Sequence, residues 1–147
     1  MIPISIERVE RFSLDNIAPI LRLIDTAPAG DLGFHAGQFA VWSARALGAD
    51  KTLVAVIVAR GEDAGFIIAF GPFELDPFVF VFEVYVAPKW RNKDLILAVI
   101  SYIKDWSKAC GAKGAAFQSR RPRAWHRLLD KVATTFRVVC HLSTEKE

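Results

Sequence analysis

Cysteine, methionine and histidine are scarce in this 147-residue chain: two, one and three respectively. Cys110 and Cys140 cannot build a multi-bridge framework, and no histidine or cysteine stands at metal-ligand spacing. A disulfide scaffold and a zinc module are therefore excluded. His35, His126 and His141 read as isolated surface or satisfied histidines. Long apolar runs are also missing: the longest are strand-length and end at charges, Gly or Pro, too short to span a bilayer. The start, Met1-Ile2-Pro3-Ile4-Ser5-Ile6-Glu7-Arg8, has no basic segment leading into an apolar run and a small-residue cleavage site. No repeat, low-complexity tract or linker interrupts the chain. These absences predict a soluble cytoplasmic protein with no membrane association.

What is present suits one well-filled domain over residues 1–147. Hydrophobic residues make up 52% and aromatics 12%, with eleven Phe. A chain of this length buries roughly 70% of its unfolded surface, so no staple is needed. Charge is unevenly placed. Residues 1–86 hold six Lys and Arg against eleven Asp and Glu, whereas residues 87–131 hold eleven against three. The basic half reads either as a solvated face or as an anion-binding surface.

Apolar periodicity sets the order of elements. Ile2 to Arg11 alternates as a half-buried strand. Ser13 or Asp15 caps a helix carrying Ile17, Ile20, Leu21 and Ile24, with Pro19 near its start. A second helix is predicted from about His35 to Leu47, with Phe39, Trp42 and Ala46 on one face and Gly48 as its stop. Thr52 to Arg60 is a buried strand, Gly61 to Gly65 a hairpin loop, and Phe66 to Phe70 the return. Phe78 to Val86, apolar on both faces, is a central strand ended by Pro88. A helix from about Asp94 to Ala109 shows Leu95, Val99, Ile103 and Trp106 in a stripe, widened by Ile96 and Ile100 and closed by Gly111. Lys113 to Ser119 is a strand. Pro122 opens a helix with Trp125, Leu128, Leu129 and Val132, and Thr135 to Leu142 is a last strand before a short tail.

The order β-α-α-β-β-β-α-β-α-β, with the strand, basic turn and helix between Val79 and Cys110, resembles GNAT-type N-acetyltransferases. The order covers the whole chain; the specific motif lies between Glu83 and Leu97. The resemblance implies an α/β (α+β) fold with a mixed, mostly antiparallel sheet flanked by helices. The family's acetyl-CoA loop reads Arg or Gln, two residues, Gly, one residue, then Gly or Ala. Arg91 is in place, but Asp94 and Ile96 stand where small residues belong. Arg121-Pro122-Arg123-Ala124-Trp125 loosely resembles the Asn-Pro-x-Ala that opens the last helix. Small GNAT-like proteins of bacteriophages resemble the chain in size, which implies, as one variant, a phage protein acting on a host target in the host cytoplasm.

The resemblance also implies site residues. Val84 and Val86 would face the pantetheine arm of acetyl-CoA. Arg91, Asn92, Lys93, Asp94, Leu95 and Ile96 would form the phosphate loop at a helix N-terminus. A carboxylate at Asp94 repels a pyrophosphate by a few kcal/mol, in order of magnitude, while Arg91 and Lys93 attract it. Equally, Asp94 can simply cap a packing helix. Glu83, between apolar Phe82 and Val84, has the setting that raises a carboxyl pKa and fits a general base toward an amine; it reads equally as a Glu paired at a strand end. The family's general acid is a Tyr in the last helix, where this chain has Arg127-Leu128-Leu129-Asp130; Tyr85 or His126 could serve only with altered geometry. Cys140 and His141, adjacent on a strand, point to opposite faces and suit a core position better than a catalytic pair.

Two functions follow from these residues. One is an acyl-CoA-dependent N-acetyltransferase with a degenerate loop, acting on an amine-bearing small molecule or protein. The other is a catalytically silent module of the same fold that binds a protein. Arg120, Arg121 and Arg123 form the densest basic run and would grip either an acidic partner or CoA phosphates. Nucleic acid is disfavoured, since no recognition motif accompanies the basic residues.

Overall fold

A computed structural model describes residues 2–49, 51–119 and 136–140. Among the described residues the elements are β1 (Ile4–Arg8), α1 (Leu14–Thr26), α2 (Ala36–Ala46), β2 (Thr52–Ala59), β3 (Glu62–Phe70), β4 (Phe78–Val86), α3 (Lys93–Ala109), β5 (Gly114–Ser119) and β6 (Phe136–Cys140), with a 3-10 turn at Pro88–Trp90. The predicted helix from Pro122 lies outside the described residues.

The helices begin where side chains satisfy orphan N–H groups. The Ser13 hydroxyl accepts from Asn16 N–H at 3.0 Å and starts α1. His35 and Gln38 form a reciprocal capping box at α2, which gives His35 a structural role. Pro19 is inside α1 but early enough for the helix to continue.

The strands form one six-stranded sheet in chain order, antiparallel from β1 to β4 and parallel from β4 to β6. Each face is covered. On one side Leu95, Val99, Ile100 and Ile103 of α3 pack on Leu53, Ile57, Ile67 and Val79. On the other, Ile17 and Ile20 of α1 and Phe39 of α2 pack on Val54, Val56, Phe66 and Ile68. Burying each such side chain fully stabilises the fold by roughly 1.5–3 kcal/mol. Most of β2, of β3 from Ala64 on and of the first half of β4 is enclosed on both faces, which is why these stretches read as apolar runs.

Three boundaries depart from the sequence pattern. β1 covers Ile4–Arg8 rather than residues 2–11, and β5 starts at Gly114. The hairpin loop expected over residues 61–65 is instead a two-residue turn. Arg60 and Gly61 both have positive φ, 51° and 76°, and β3 already starts at Glu62. That left-handed pair matches the twist of the flanking strands, so the acidic stretch that looked like a loop joins the ladder. Gly65 then lies opposite Val86, where a Cβ would strike the Tyr85 carbonyl oxygen. Only glycine allows β3 to approach β4 there.

β4 has two irregularities. Ile68 pairs with Glu83 but Ala69 with Val81, so Phe82 is the extra residue of a bulge. On the opposite edge the ladder to β5 runs from Phe78–Gly114 to Val81–Phe117 and stops. β5 continues with β6 through Ser119–Cys140, so β4 and β5 part beyond Val81.

Candidate active site

Among the described residues, the gap between β4 and β5 leaves the strand edge from Val84 to Val86 without a partner strand. The orientation of its polar groups follows from alternation. Ala87 N–H donates to Ala64 O at 2.8 Å, so the backbone of Ala87 and of Tyr85 points at β3. The N–H and C=O groups of Val84 and Val86 therefore point into the gap. Arg91 supports this, because its Nε donates to the Val86 carbonyl at 2.8 Å from that side. The edge can pair with an extended amide-bearing ligand as a further strand would.

Arg91 links three pieces of the fold. Besides Val86, its Nη2 donates to Asp31 Oδ2 at 2.7 Å, tying in the connection between α1 and α2. Its guanidinium carbon also lies 5.9 Å from the centre of the Tyr85 ring. Tyr85 is only 5% exposed. Burial pushes its hydroxyl above the ordinary 10.0, and the nearby Arg91 charge partly opposes that rise. Tyr85 is thus a neutral phenol at neutral pH.

Glu83 is half-buried and pairs with Ile68, whose side chain belongs to the α1/α2 core. Paired residues share a face, so Glu83 lies on the α1/α2 side with Tyr85. The bulge at Phe82 produces this arrangement: it shifts the alternation and places Phe82 and Glu83 on one face. The structure therefore brings Glu83, Tyr85, Arg91 and Asp31 to one end of β4.

At the start of α3 the geometry is mixed. Asn92 is the N-cap, and its side-chain oxygen accepts from Leu95 N–H at 2.9 Å. Ile96 N–H bonds the Asn92 carbonyl at 3.2 Å. The N–H groups of Lys93 and Asp94 have no acceptor among the described residues and form, with the exposed Lys93 side chain, the remaining anion-binding feature. Asp94 is exposed beside them. The Leu95 side chain is fully buried, whereas Ile96 is half-buried and packs against the edge of the same core.

Arg120, Arg121, Arg123, His126 and His141 lie outside the described residues. A shallow cleft of about 390 Å³ lined by Glu7, Glu10, Arg11, Asn16 and Asp63 shares no residue with the β4 site. Among the described residues no group of three His, Cys, Asp or Glu could hold a metal, and no helix is long and apolar enough to cross a membrane. Sequence reasoning missed Asp31, since Pro28-Ala29-Gly30-Asp31 reads only as a helix break. It also missed the bulge, which leaves no compositional mark.

A mixed sheet, antiparallel to β4 and splayed between β4 and a parallel β5, with a capped helix after β4, defines the GNAT fold, and this chain has it. Solved structures bear this out. The chain is similar to an aminoglycoside N-acetyltransferase, AAC(6')-Iy, in complex with CoA, with a TM-score of 0.68 at 16% identity over 98% of this chain and 97% of that one. It is similar to a ribosomal-protein-alanine N-acetyltransferase from Brucella melitensis, with a TM-score of 0.58 at 15% identity over 100% and 98%. It is also similar to an integron cassette protein from the mobile metagenome of Cole Harbour Salt Marsh, with a TM-score of 0.70 at 14% identity over 97% and 91%. No protein-family model and no curated protein matches the sequence.

Proposed function

We propose that this chain is an acyl-CoA-dependent N-acetyltransferase whose phosphate loop has diverged. The observation that carries the reading is the end of the β4–β5 ladder at Val81–Phe117, which turns the backbone of Val84 and Val86 into a gap beside Glu83. Two of the similar structures are acetyltransferases, one holding CoA, which adds support.

The residues fit acetyl-CoA unevenly. The open edge suits its amide-bearing arm, and Lys93 with the two open N–H groups suits a phosphate. Asp94 opposes that phosphate, and Asn92 already occupies Leu95 N–H. Binding through Val84, Val86, Arg91, Asn92, Lys93 and Asp94 is therefore expected to be weaker than an uninterrupted glycine loop would give. Leu95 contributes backbone position rather than its buried side chain, and half-buried Ile96 brings a branched side chain to the loop. When bound, acetyl-CoA supplies a thioester whose acyl carbon passes to an amine nitrogen as the carbon–sulfur bond breaks. Glu83 takes the proton shed by the amine, directly or through water. Val84 or Val86 N–H, fixed by the sheet, donates to the acyl oxygen. Tyr85, a neutral buried phenol, would return a proton to the leaving sulfur.

The amine is carried by a small molecule or a protein, in line with the aminoglycosides and ribosomal protein named for the similar enzymes. One observation favours a second reading, a protein-binding module without transfer: Asn92 caps the helix in place of a ligand. Arg120, Arg121 and Arg123 would then carry the partner contact. The test is Glu83→Gln, nearly isosteric, which should lower acetyl transfer by about two to four orders of magnitude while leaving folding intact. Unchanged turnover removes Glu83 from the mechanism.

A further inference from the structure

On the α1/α2 side of β4 a row of aromatic rings leads up to Glu83. Phe34, between α1 and α2, lies 6.1 Å from Phe82, centre to centre. Phe82 is 6.2 Å from Phe70, and Phe70 is 5.5 Å from Trp42. All four are half-buried, whereas Phe39 and Phe66 beneath them are fully enclosed. The row is thus partly exposed above an enclosed aromatic base. Phe82 is the bulge residue, so the row ends directly beside the carboxylate.

The charges near the row have the opposite character to a polycation site. α2, which supplies Trp42, contains no acidic residue and carries Arg45 in its last turn. Asp31, in the same connection as Phe34, is held by Arg91 at 2.7 Å. Among the described residues, a ligand with several ammonium groups would meet Asp31, already paired with Arg91, and the half-buried Glu83, and would leave its other charges over apolar rings. A ligand with one amine and a flat apolar body would place the amine at Glu83 and stack the body on the rings, where offset ring contacts add to apolar burial.

We infer that the acceptor is a primary monoamine with an aromatic body, bound along Phe34, Phe82 and Phe70 with its nitrogen at Glu83. This rests on the acyl-transfer reading above and narrows its substrate class.

The test uses the full chain with phenethylamine and spermidine as probes. Thiol release from acetyl-CoA reads turnover, and amide chemical shifts read binding. Phenethylamine should show a kcat/KM at least about tenfold above that of spermidine. Phe34→Leu, which keeps apolar bulk but removes the ring, should raise the phenethylamine KM roughly three- to tenfold, leave its kcat nearly unchanged and leave spermidine unaffected. Equal or better turnover of spermidine overturns the inference, as does a Phe34→Leu effect that is the same for both amines. If phenethylamine shifts the Phe34 and Phe82 amides but no thiol is released with either amine, the aromatic site stands and acyl transfer fails. If acetyl-CoA is consumed with another amine while phenethylamine shifts nothing, the aromatic site fails and acyl transfer stands.

Discussion

Removing the Arg91 side chain should loosen the end of β4, because that one residue holds three elements together. Its Nε bond to the Val86 carbonyl is a charged hydrogen bond, which contributes roughly 1.5–3 kcal/mol. The pair with Asp31 is partly exposed, 48% and 29%, and so contributes at most about 1 kcal/mol. The contact with the Tyr85 ring adds about 0.5–1 kcal/mol. These contributions share one side chain and do not simply add, so Arg91→Ala should cost about 2–4 kcal/mol. In urea, at a mid-range slope of about 2 kcal/mol per molar, the midpoint should fall by about 1–2 M. Tyr85 provides a second readout. Arg91 lowers its pKa, so in the variant Tyr85 should titrate still further above 10.0. The chain has only two tyrosines, which makes near-ultraviolet titration assignable. An unchanged urea midpoint, or a Tyr85 that titrates lower in the variant, would refute this account of Arg91.

Gly65→Ala should cost about 3 kcal/mol or more in a urea melt, since its Cβ meets the Tyr85 backbone rather than a movable side chain; a cost under 1 kcal/mol would mean that β3 and β4 are not so close. Asn92→Ala should lose about 0.5–2 kcal/mol with the α3 cap, and a neutral result in the same assay would contradict the bond to Leu95 N–H. Burial raises Tyr85 and Tyr102 above 10.0 and Cys110 above 9.0 in the folded state. The unfolded chain therefore releases these protons first as pH rises, so their contribution is intact below pH 9 and is lost as pH climbs through the folded values. Thermal melts that become more stable above pH 10 would contradict that sign.

Much of the fold was legible because several elements carry complete local signals. β4 could be bounded to the residue, since Phe78 to Val86 is apolar on both faces and Pro88 stops it. α3 was equally clear from Leu95, Val99, Ile103 and Trp106, all buried as the stripe requires. The β2–β3 turn was misread because Gly61, Glu62, Asp63 and Gly65 together have loop composition. Pairing of Glu62 with Ala59 and of Asp63 with Val58 overrides that composition, and Gly65 serves close approach rather than flexibility. At the candidate site, the strand–turn–helix pattern singled out Glu83, Tyr85 and the Arg91 loop, and the fold places them at one end of β4. The Arg91–Asp31 pair joins residues sixty positions apart, and no local pattern signals such a contact. Likewise, the aromatic row draws on α2, two strands and a loop, which only the folded chain brings together.

The central claim is that the open edge of β4 and the start of α3 together take acetyl-CoA despite the carboxylate at Asp94. Calorimetric titration of acetyl-CoA into the wild-type chain and into Asp94→Gly tests it most directly. The account predicts one molecule bound per chain, with tighter binding in the variant, since a like charge is removed and the backbone can approach the phosphates more closely. No saturable binding by either protein, or strong wild-type binding that the substitution weakens, would contradict it.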